Sequence, residues 1–146
     1  MLFTGTNVAR NGDASQSSTK RSARRAIDGQ TEDSCSSTDT ENDPWWRVDL
    51  LDKHQIWSIK ITNTEGNPKE GVNGAEIRIG DSLRNDGNDN PKCRTVESIE
   101  LGSAATFDCA GMQGRFINII RPGRKKHLTL CEVEVYGQPL FIIQAC

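Results

Sequence analysis

Short runs of alternating apolar and polar residues recur along the whole chain, and most of them are rich in Val, Ile and Thr. In residues 131–136 every second side chain is apolar, so one strand face is expected to be buried and the other to face water. Clusters of Gly, Pro, Asn and Asp separate the runs, and residues 20–27 allow at most a short helical turn. The runs expected to form strands are residues 45–50, 56–62, 75–79, 96–101, 104–109, 115–120 and 128–136. Many short strands of this kind predict an all-β sandwich or barrel.

Two neighbouring tryptophans, Trp45 and Trp46, begin the first of these runs. Adjacent residues of a strand point to opposite faces, so the two indole rings cannot both enter the core. We expect one ring to anchor the core and the other to pack under a loop. Arg47 and Asp49 share a face with one of the two rings.

The 146 residues are enough for one domain, and we expect it to span residues 1–138, followed by an apolar tail at 139–146. Eighteen basic and twenty acidic residues give a net charge of −2, which argues against a general nucleic-acid binder. No apolar run approaches the roughly 18 residues of a membrane-spanning helix, so membrane insertion is not expected.

Five cysteines are widely spaced in a chain with few apolar residues: Cys35, Cys93, Cys109, Cys131 and Cys146. Such spacing indicates disulfides and an oxidising compartment, so the protein is expected to be secreted. The cysteines lack the spacing of a zinc site, and the sequence by itself leaves their pairing open. With five cysteines one is left without an internal partner, and Cys146 is the simplest choice. Its apolar tail is either the remnant of a precursor, or Cys146 forms an intermolecular disulfide that would give a homo-oligomer.

Enzyme motifs are missing from the sequence. It has no nucleophile elbow, phosphate loop, zinc-protease helix or dinucleotide glycine motif. Of its two histidines, His54 is expected at the surface, and Glu132 and Glu134 are expected to share one wet strand face. A catalytic set of nucleophile, base and orienting group therefore cannot be named, and a binding domain is favoured over an enzyme.

Several motifs occur in a characteristic order along the chain. They are Asn-Val-Ala at 7–9, Ala-Ile-Asp-Gly at 26–29, Pro-Trp-Trp-Arg-Val-Asp-Leu at 44–50, Asn-Gly-Ala-Glu-Ile at 73–77, Asn-Pro-Lys-Cys at 90–93 and Leu-Cys-Glu-Val at 130–133. Together they resemble the F-type lectins, the fucolectins of eels and other fish, over residues 7–137. The resemblance implies the galactose-binding-like jelly-roll β-sandwich of discoidin and coagulation-factor C domains, with long loops at one end.

The resemblance also implies a structural calcium ion and two disulfides. The family's calcium ligands fall at Arg25, Asp28, Gln30, Ser34, Cys131 and Glu132. Asp28 and Glu132 would supply carboxylate oxygens, Ser34 a hydroxyl, and the other three carbonyl oxygens, which is the all-oxygen set that calcium prefers. The family's bridges fall at Cys35 with Cys131 and at Cys93 with Cys109.

The chain departs from the family at the fucose site. The family motif is a His, an Arg-x-Asp and a further Arg or Lys, of which the His and the two basic side chains donate charge-assisted hydrogen bonds to the sugar. Ser37 stands here at the His position, Thr64 and Gly71 at the two Arg positions, and Gly66 at the Asp position. The resemblance therefore implies a lectin scaffold that has lost the side chains for ordinary fucose binding.

Two basic segments, residues 20–25 and 121–127, could replace the lost fucose site with a site for another sugar in an otherwise near-neutral chain. Their guanidinium groups suit sulfated or sialylated glycans on cell surfaces or microbes. The candidate sugar-site residues are Arg21, Arg24, Ser37, Thr64, Lys69 and Gly71. Two alternatives stay open: a protein-interaction module that has lost sugar binding, and fucose binding by a rebuilt site.

Overall fold

The computed structural model describes residues 5–30, 34–66 and 71–140. In this part of the chain the strands are β1 (Asp13–Gln16), β2 (Ser36–Ser37), β3 (Trp45–Thr62), β4 (Glu76–Gly80), β5 (Lys92–Thr95), β6 (Ala104–Ile120), β7 (Thr129–Leu130) and β8 (Glu132–Pro139). Helical structure within the same residues consists of four-residue 3-10 turns at Val8–Asn11, Ala23–Ala26 and Arg84–Gly87. None of these helices has the length and apolar character needed to cross a membrane.

The two long strands β3 and β6 organise the sandwich. One edge of β3 pairs with β6 over both of its halves. The other edge pairs first with β1 and then, beyond a register shift between Asp49 and His54, with β8. On its far side β6 pairs with β4, and β4 pairs with β5. The all-β jelly-roll sandwich is therefore confirmed, and a two-stranded ribbon of β2 and β7 is added at the loop end.

Polar interruptions that suggest strand ends are bulges inside longer strands. The predicted runs 45–50 and 56–62 form one strand, because residues 51–53 stay in β3 while Leu51 takes a φ of 74°. The Asp49 carboxylate accepts the Leu51 amide at 2.8 Å and holds this bulge. The prediction of a surface His54 is wrong, since β3 runs through it and the residue is buried. The runs 104–109 and 115–120 merge into β6 in the same way.

The strand predicted at 96–101 is wrong, and its place is taken by β5 just before it. Val96 and Ile99 are buried, which accounts for the apolar pattern. Val96 still pairs through its backbone, donating to the Ala75 carbonyl at 2.7 Å and accepting the Gly74 amide at 2.6 Å, and side-chain amides hold the residues after it. The Asn63 side-chain amide donates to the Ile99 backbone carbonyl at 2.8 Å, and the Asn73 side-chain oxygen accepts the Ile99 backbone amide at 3.1 Å. The segment therefore packs as an irregular loop against the core.

The predicted run 128–136 is divided at Cys131, whose amide donates to the Thr62 carbonyl at 3.0 Å. The first part pairs as β7 with β2, and the second pairs as β8 with β3. The short polar strands β1 and β2 were not expected, because neither carries an apolar alternation. β8 extends to Pro139, and residues 141–146 of the expected tail, with Cys146, lie outside the described residues.

Trp46 is the tryptophan that enters the core, where it is fully buried. Its indole Nε1 donates to the Ala23 carbonyl at 2.9 Å, which fastens the 3-10 turn at Ala23–Ala26 to β3. Trp45 lies on the opposite face, with the Arg47 guanidinium 5.0 Å from its ring centroid. The expected division between one core ring and one outer ring is therefore confirmed.

Both disulfides implied by the family resemblance are present. Cys35 is bonded to Cys131, and Cys93 is bonded to Cys109. The first joins the loop after Ala23–Ala26 to the start of β8, and the second joins β5 to β6. The first bridge closes a sequence separation of 96 residues, so it constrains the loop end of the sandwich over most of the chain.

Replacing Trp46 with Phe should lower the free energy of unfolding by about 2 to 4 kcal/mol, because it opens space in the core and leaves the Ala23 carbonyl unpaired. The matched variant Trp45→Phe should cost only about 1 kcal/mol, because that ring is half-buried and loses mainly a cation–π contact. Urea unfolding of both variants measures the difference. Equal losses would contradict the assignment of Trp46 as the core ring.

Candidate functional site

A tight turn around Asp28 lies beside the Cys35–Cys131 disulfide. It follows the buried Ile27, which anchors the turn in the core. The Asp28 carboxylate accepts a hydrogen bond from the Gln30 amide at 2.9 Å through one oxygen and one from the Ser34 hydroxyl through the other. Three of the predicted calcium ligands are therefore brought together in one loop.

Glu132 joins this loop from the start of β8. Its Oε2 accepts the Gly29 amide at 2.9 Å, while its Oε1 is buried and has no hydrogen-bond partner among the described residues. The expectation that Glu132 faces water is wrong: only 2% of the residue is exposed, and the turn that contains Gly29 packs against its carboxylate. Burial raises the pKa of the Glu132 carboxyl to about 7, and the charges of Asp28 and Glu134 act in the same direction.

The oxygen atoms of this cluster fit a hard cation. An unpaired buried carboxylate oxygen next to a second carboxylate is an arrangement that a divalent ion would relieve. Arg25 and Cys131 flank the cluster in sequence, and only their carbonyl oxygens would serve. The described residues contain no group of three or more His, Cys, Asp or Glu side chains that could hold a metal, so carbonyl and hydroxyl oxygens would have to complete the set.

Next to Glu132 is a cavity of about 220 Å³ that the sequence did not reveal. It is lined by Asn7, Arg10, Gly29, Glu132 and Glu134. The Asn7 side-chain oxygen accepts the amides of Ala9 and Val135, which attaches the first 3-10 turn to β8. Asn7 belongs to a motif that carried the family resemblance, but nothing in the sequence singled out Arg10.

Three of the four positions that align with the fucose motif hold small, buried residues, while Gly66 at the Asp position is exposed. Ser37 is 4% exposed, and its hydroxyl pairs with the Thr129 hydroxyl at 3.0 Å. Thr64 is 9% exposed, and its hydroxyl accepts the Gly66 amide at 3.0 Å. Gly71 is buried as well, and Lys69 lies outside the described residues. Both hydroxyls are thus engaged within the protein, and neither Ser37, Thr64 nor Gly71 supplies a charged donor.

The two arginine candidates of the first basic segment are separated. The Arg21 backbone forms an antiparallel bridge with Ser37, so the exposed Arg21 residue neighbours the position that aligns with the family's His. The Arg24 side chain is directed elsewhere, since its Nη1 donates to the Gly12 carbonyl at 3.4 Å. Of the two arginines, Arg21 is therefore better placed to contact a ligand beside Ser37.

The second basic segment is only partly a surface cluster. Arg121 is buried, and its guanidinium donates to the carbonyls of Asn73 at 3.0 Å and His127 at 2.8 Å. Burial lowers the pKa of Arg121. It therefore ties this segment to the loop before β4, which corrects the expectation that the whole segment could face a ligand. Arg124 and Lys125 remain exposed.

Comparison with known proteins identifies the family of this fold. Residues 25–119 match the family model of the NedA-like, galactose-binding domain. The chain is similar to fucolectin of Anguilla anguilla, with 40% identity over 146 residues that cover 91% of this chain and 92% of the eel protein. It is also 37% identical to the pentraxin fusion protein of Xenopus laevis over 142 residues, which are 92% of this chain and 34% of the frog protein.

Among solved structures, a fucolectin from the serum of Morone saxatilis, the striped bass, superposes with a TM-score of 0.88 at 51% identity. The match covers 92% of this chain and 48% of the bass chain, so this chain spans about half the length of that lectin. The relatives named are lectins or proteins that contain the same domain. The chain belongs to the F-type lectin (fucolectin) family and has its carbohydrate-binding lectin fold.

Proposed function

We propose that this chain is an extracellular, calcium-stabilised lectin domain that binds anionic glycans rather than fucose. The observation that carries the proposal is the change at the aligned fucose positions, where buried Ser37, Thr64 and Gly71 replace charged donors while the scaffold is retained. The eel and bass relatives are fucolectins by name, which supports a carbohydrate as the ligand class. The two disulfides and the serum source of the bass lectin support an extracellular location.

Calcium in this proposal is held by the cluster around Asp28 and Glu132. The two carboxylates, the Ser34 hydroxyl and the carbonyl oxygens of Arg25, Gln30 and Cys131 form the ligand set. A bound divalent cation would neutralise the buried carboxylate and join the 28–34 loop to the start of β8. The Cys35–Cys131 disulfide and the hydrogen bond from the Gly29 amide to Glu132 hold these oxygen atoms close together.

The loss of fucose binding follows from the donors that are missing. Each charge-assisted hydrogen bond contributes roughly 1.5 to 3 kcal/mol, so removing three of them would abolish a monosaccharide site of ordinary affinity. Ser37 and Thr64 do not replace them, because their hydroxyls already pair with Thr129 and Gly66. A neutral deoxy sugar therefore finds no charged partner at these three positions.

Arg21 supports an anionic ligand instead. Arg21 is exposed and its backbone pairs with Ser37. The Gln16 side-chain amide donates to the Arg21 backbone carbonyl at 2.7 Å and holds the backbone at this position. An exposed guanidinium can form a bidentate pair with a sulfate or a carboxylate. Sulfated and sialylated glycans on cell surfaces or microbes are the partners with this chemistry.

Calcium should raise the unfolding temperature by about 5 to 10 °C when present at roughly 100 times its Kd. Glu132→Gln should abolish the shift and leave the calcium-free domain at least as stable, because a buried charge is removed while the shape is kept. Glu97→Gln, an exposed change of the same charge, is the control. A folded wild-type protein whose unfolding temperature does not respond to calcium would contradict the calcium proposal.

Arg21→Ala should weaken binding to a 3-sulfated galactoside, immobilised on a biosensor in calcium, by about tenfold or more. Arg24→Ala, which removes the same charge from the same segment, should change it less than about threefold. The remaining affinity should fall with added salt.

The pair of variants also separates a specific site from a diffuse positive potential. Equal losses for Arg21→Ala and Arg24→Ala would indicate general charge attraction by the segment. Unchanged binding in Arg21→Ala would exclude this residue from the ligand site. Selective binding of a fucoside by the wild-type protein would show that other residues have rebuilt the fucose site.

A further inference from the structure

The guanidinium of Arg10 is held against the loop that carries Asp28. Arg10 lies in the 3-10 turn Val8–Asn11, and Asn7 fastens this turn to β8 by accepting the Val135 amide at 2.9 Å. The exposed Arg10 side chain extends from this turn to Gly29. This contact joins two segments that are separate in the sequence.

Gly29 is the residue that makes room for this guanidinium. It has a φ of +81°, and a Cβ placed on it would lie 2.3 Å from Arg10 Nη1 and 2.7 Å from Arg10 Cζ. Any side chain at position 29 would therefore displace Arg10. The amide of the same glycine donates to Glu132 Oε2, so the guanidinium and the buried carboxylate meet on one residue.

The charges around this point are unbalanced without a cation. Glu132 and Glu134 line the cavity with negative charge, Asp28 adds to the negative charge at Glu132, and Arg10 is the positively charged residue of the cavity lining. The Arg10 charge opposes the upward shift of the Glu132 pKa, whereas Asp28 and Glu134 add to it. No described ion pair joins Arg10 to Glu132 directly, so the guanidinium compensates the carboxylate through its field and not through a bidentate contact.

We propose that Arg10 is a built-in counter-cation that stabilises the loop end without calcium and weakens calcium binding by repulsion. The inference rests on the proposed calcium site and concerns how strongly that site binds. A fixed positive charge beside a divalent ion raises the free energy of the loaded state, while it lowers that of the empty state. Arg10 thereby shifts the domain toward a fold that depends less on calcium.

The test compares Arg10→Gln with Arg84→Gln, an exposed arginine in the turn Arg84–Gly87 that lines none of this cavity. Calorimetric titration gives the calcium Kd, and thermal unfolding in a chelator gives the stability of the empty domain. Arg10→Gln should tighten the Kd by about 3- to 10-fold at low salt, with a smaller effect at high salt. It should also lower the unfolding temperature in chelator, whereas Arg84→Gln should change neither quantity.

Arg10→Lys keeps the charge but not the planar group over Gly29, and it should lie between wild type and Arg10→Gln in both measurements. An unchanged Kd and an unchanged unfolding temperature in Arg10→Gln would overturn the inference. If neither wild type nor Arg10→Gln binds calcium, the calcium proposal fails by itself. Thermal unfolding in a chelator then decides the role of Arg10 alone. A larger loss of stability in Arg10→Gln than in Arg84→Gln supports the counter-cation, and an equal or smaller loss rejects it.

Discussion

The buried carboxylate of Glu132 is the constraint on which the loop end of this lectin domain depends. A carboxylate taken out of water must be compensated, and here one oxygen accepts the Gly29 amide while the other has no partner among the described residues. The Asp28 turn, the Cys35–Cys131 disulfide and the start of β8 converge on it. How this carboxylate is compensated, in our proposals by calcium and by Arg10, therefore bears on how firmly the neighbouring loops are held.

Scaffold and specificity are carried by different parts of the molecule. β3 and β6 build the sandwich, Trp46 fastens a 3-10 turn to it, and the disulfides cross-link its loops, so the fold does not depend on the identity of the residues at the pocket rim. Ser37 and Thr64 occupy the pocket positions with hydroxyls that are satisfied internally. The family fold is retained at 40% identity to an eel fucolectin, and the changed residues at these positions are the basis of the proposed change in ligand.

The sequence predicted features that depend on local pattern and missed those that depend on distant contacts. Alternation identified the all-β class and the opposed tryptophans, and the family motifs led to both cysteine pairs. Alternation failed at residues 96–101, where the Asn63 and Asn73 side chains hold Ile99 instead of a strand ladder. It also placed Glu132 in water, because the pattern of β8 does not show that another loop covers it. The contact between Arg10 and Gly29 arises only in the folded chain, so no local signal could reveal it.

The most direct measurement is a glycan array carrying fucosylated, galactosylated, sialylated and sulfated sugars, probed with the folded domain in calcium. If the fold is retained and the residues at the sugar site have changed as proposed, the domain should bind sulfated or sialylated glycans selectively, and no signal should depend on fucose. Signal that follows fucose would contradict this conclusion. A blank array from folded, calcium-loaded protein would contradict it as well and would favour a protein-interaction module on a lectin fold.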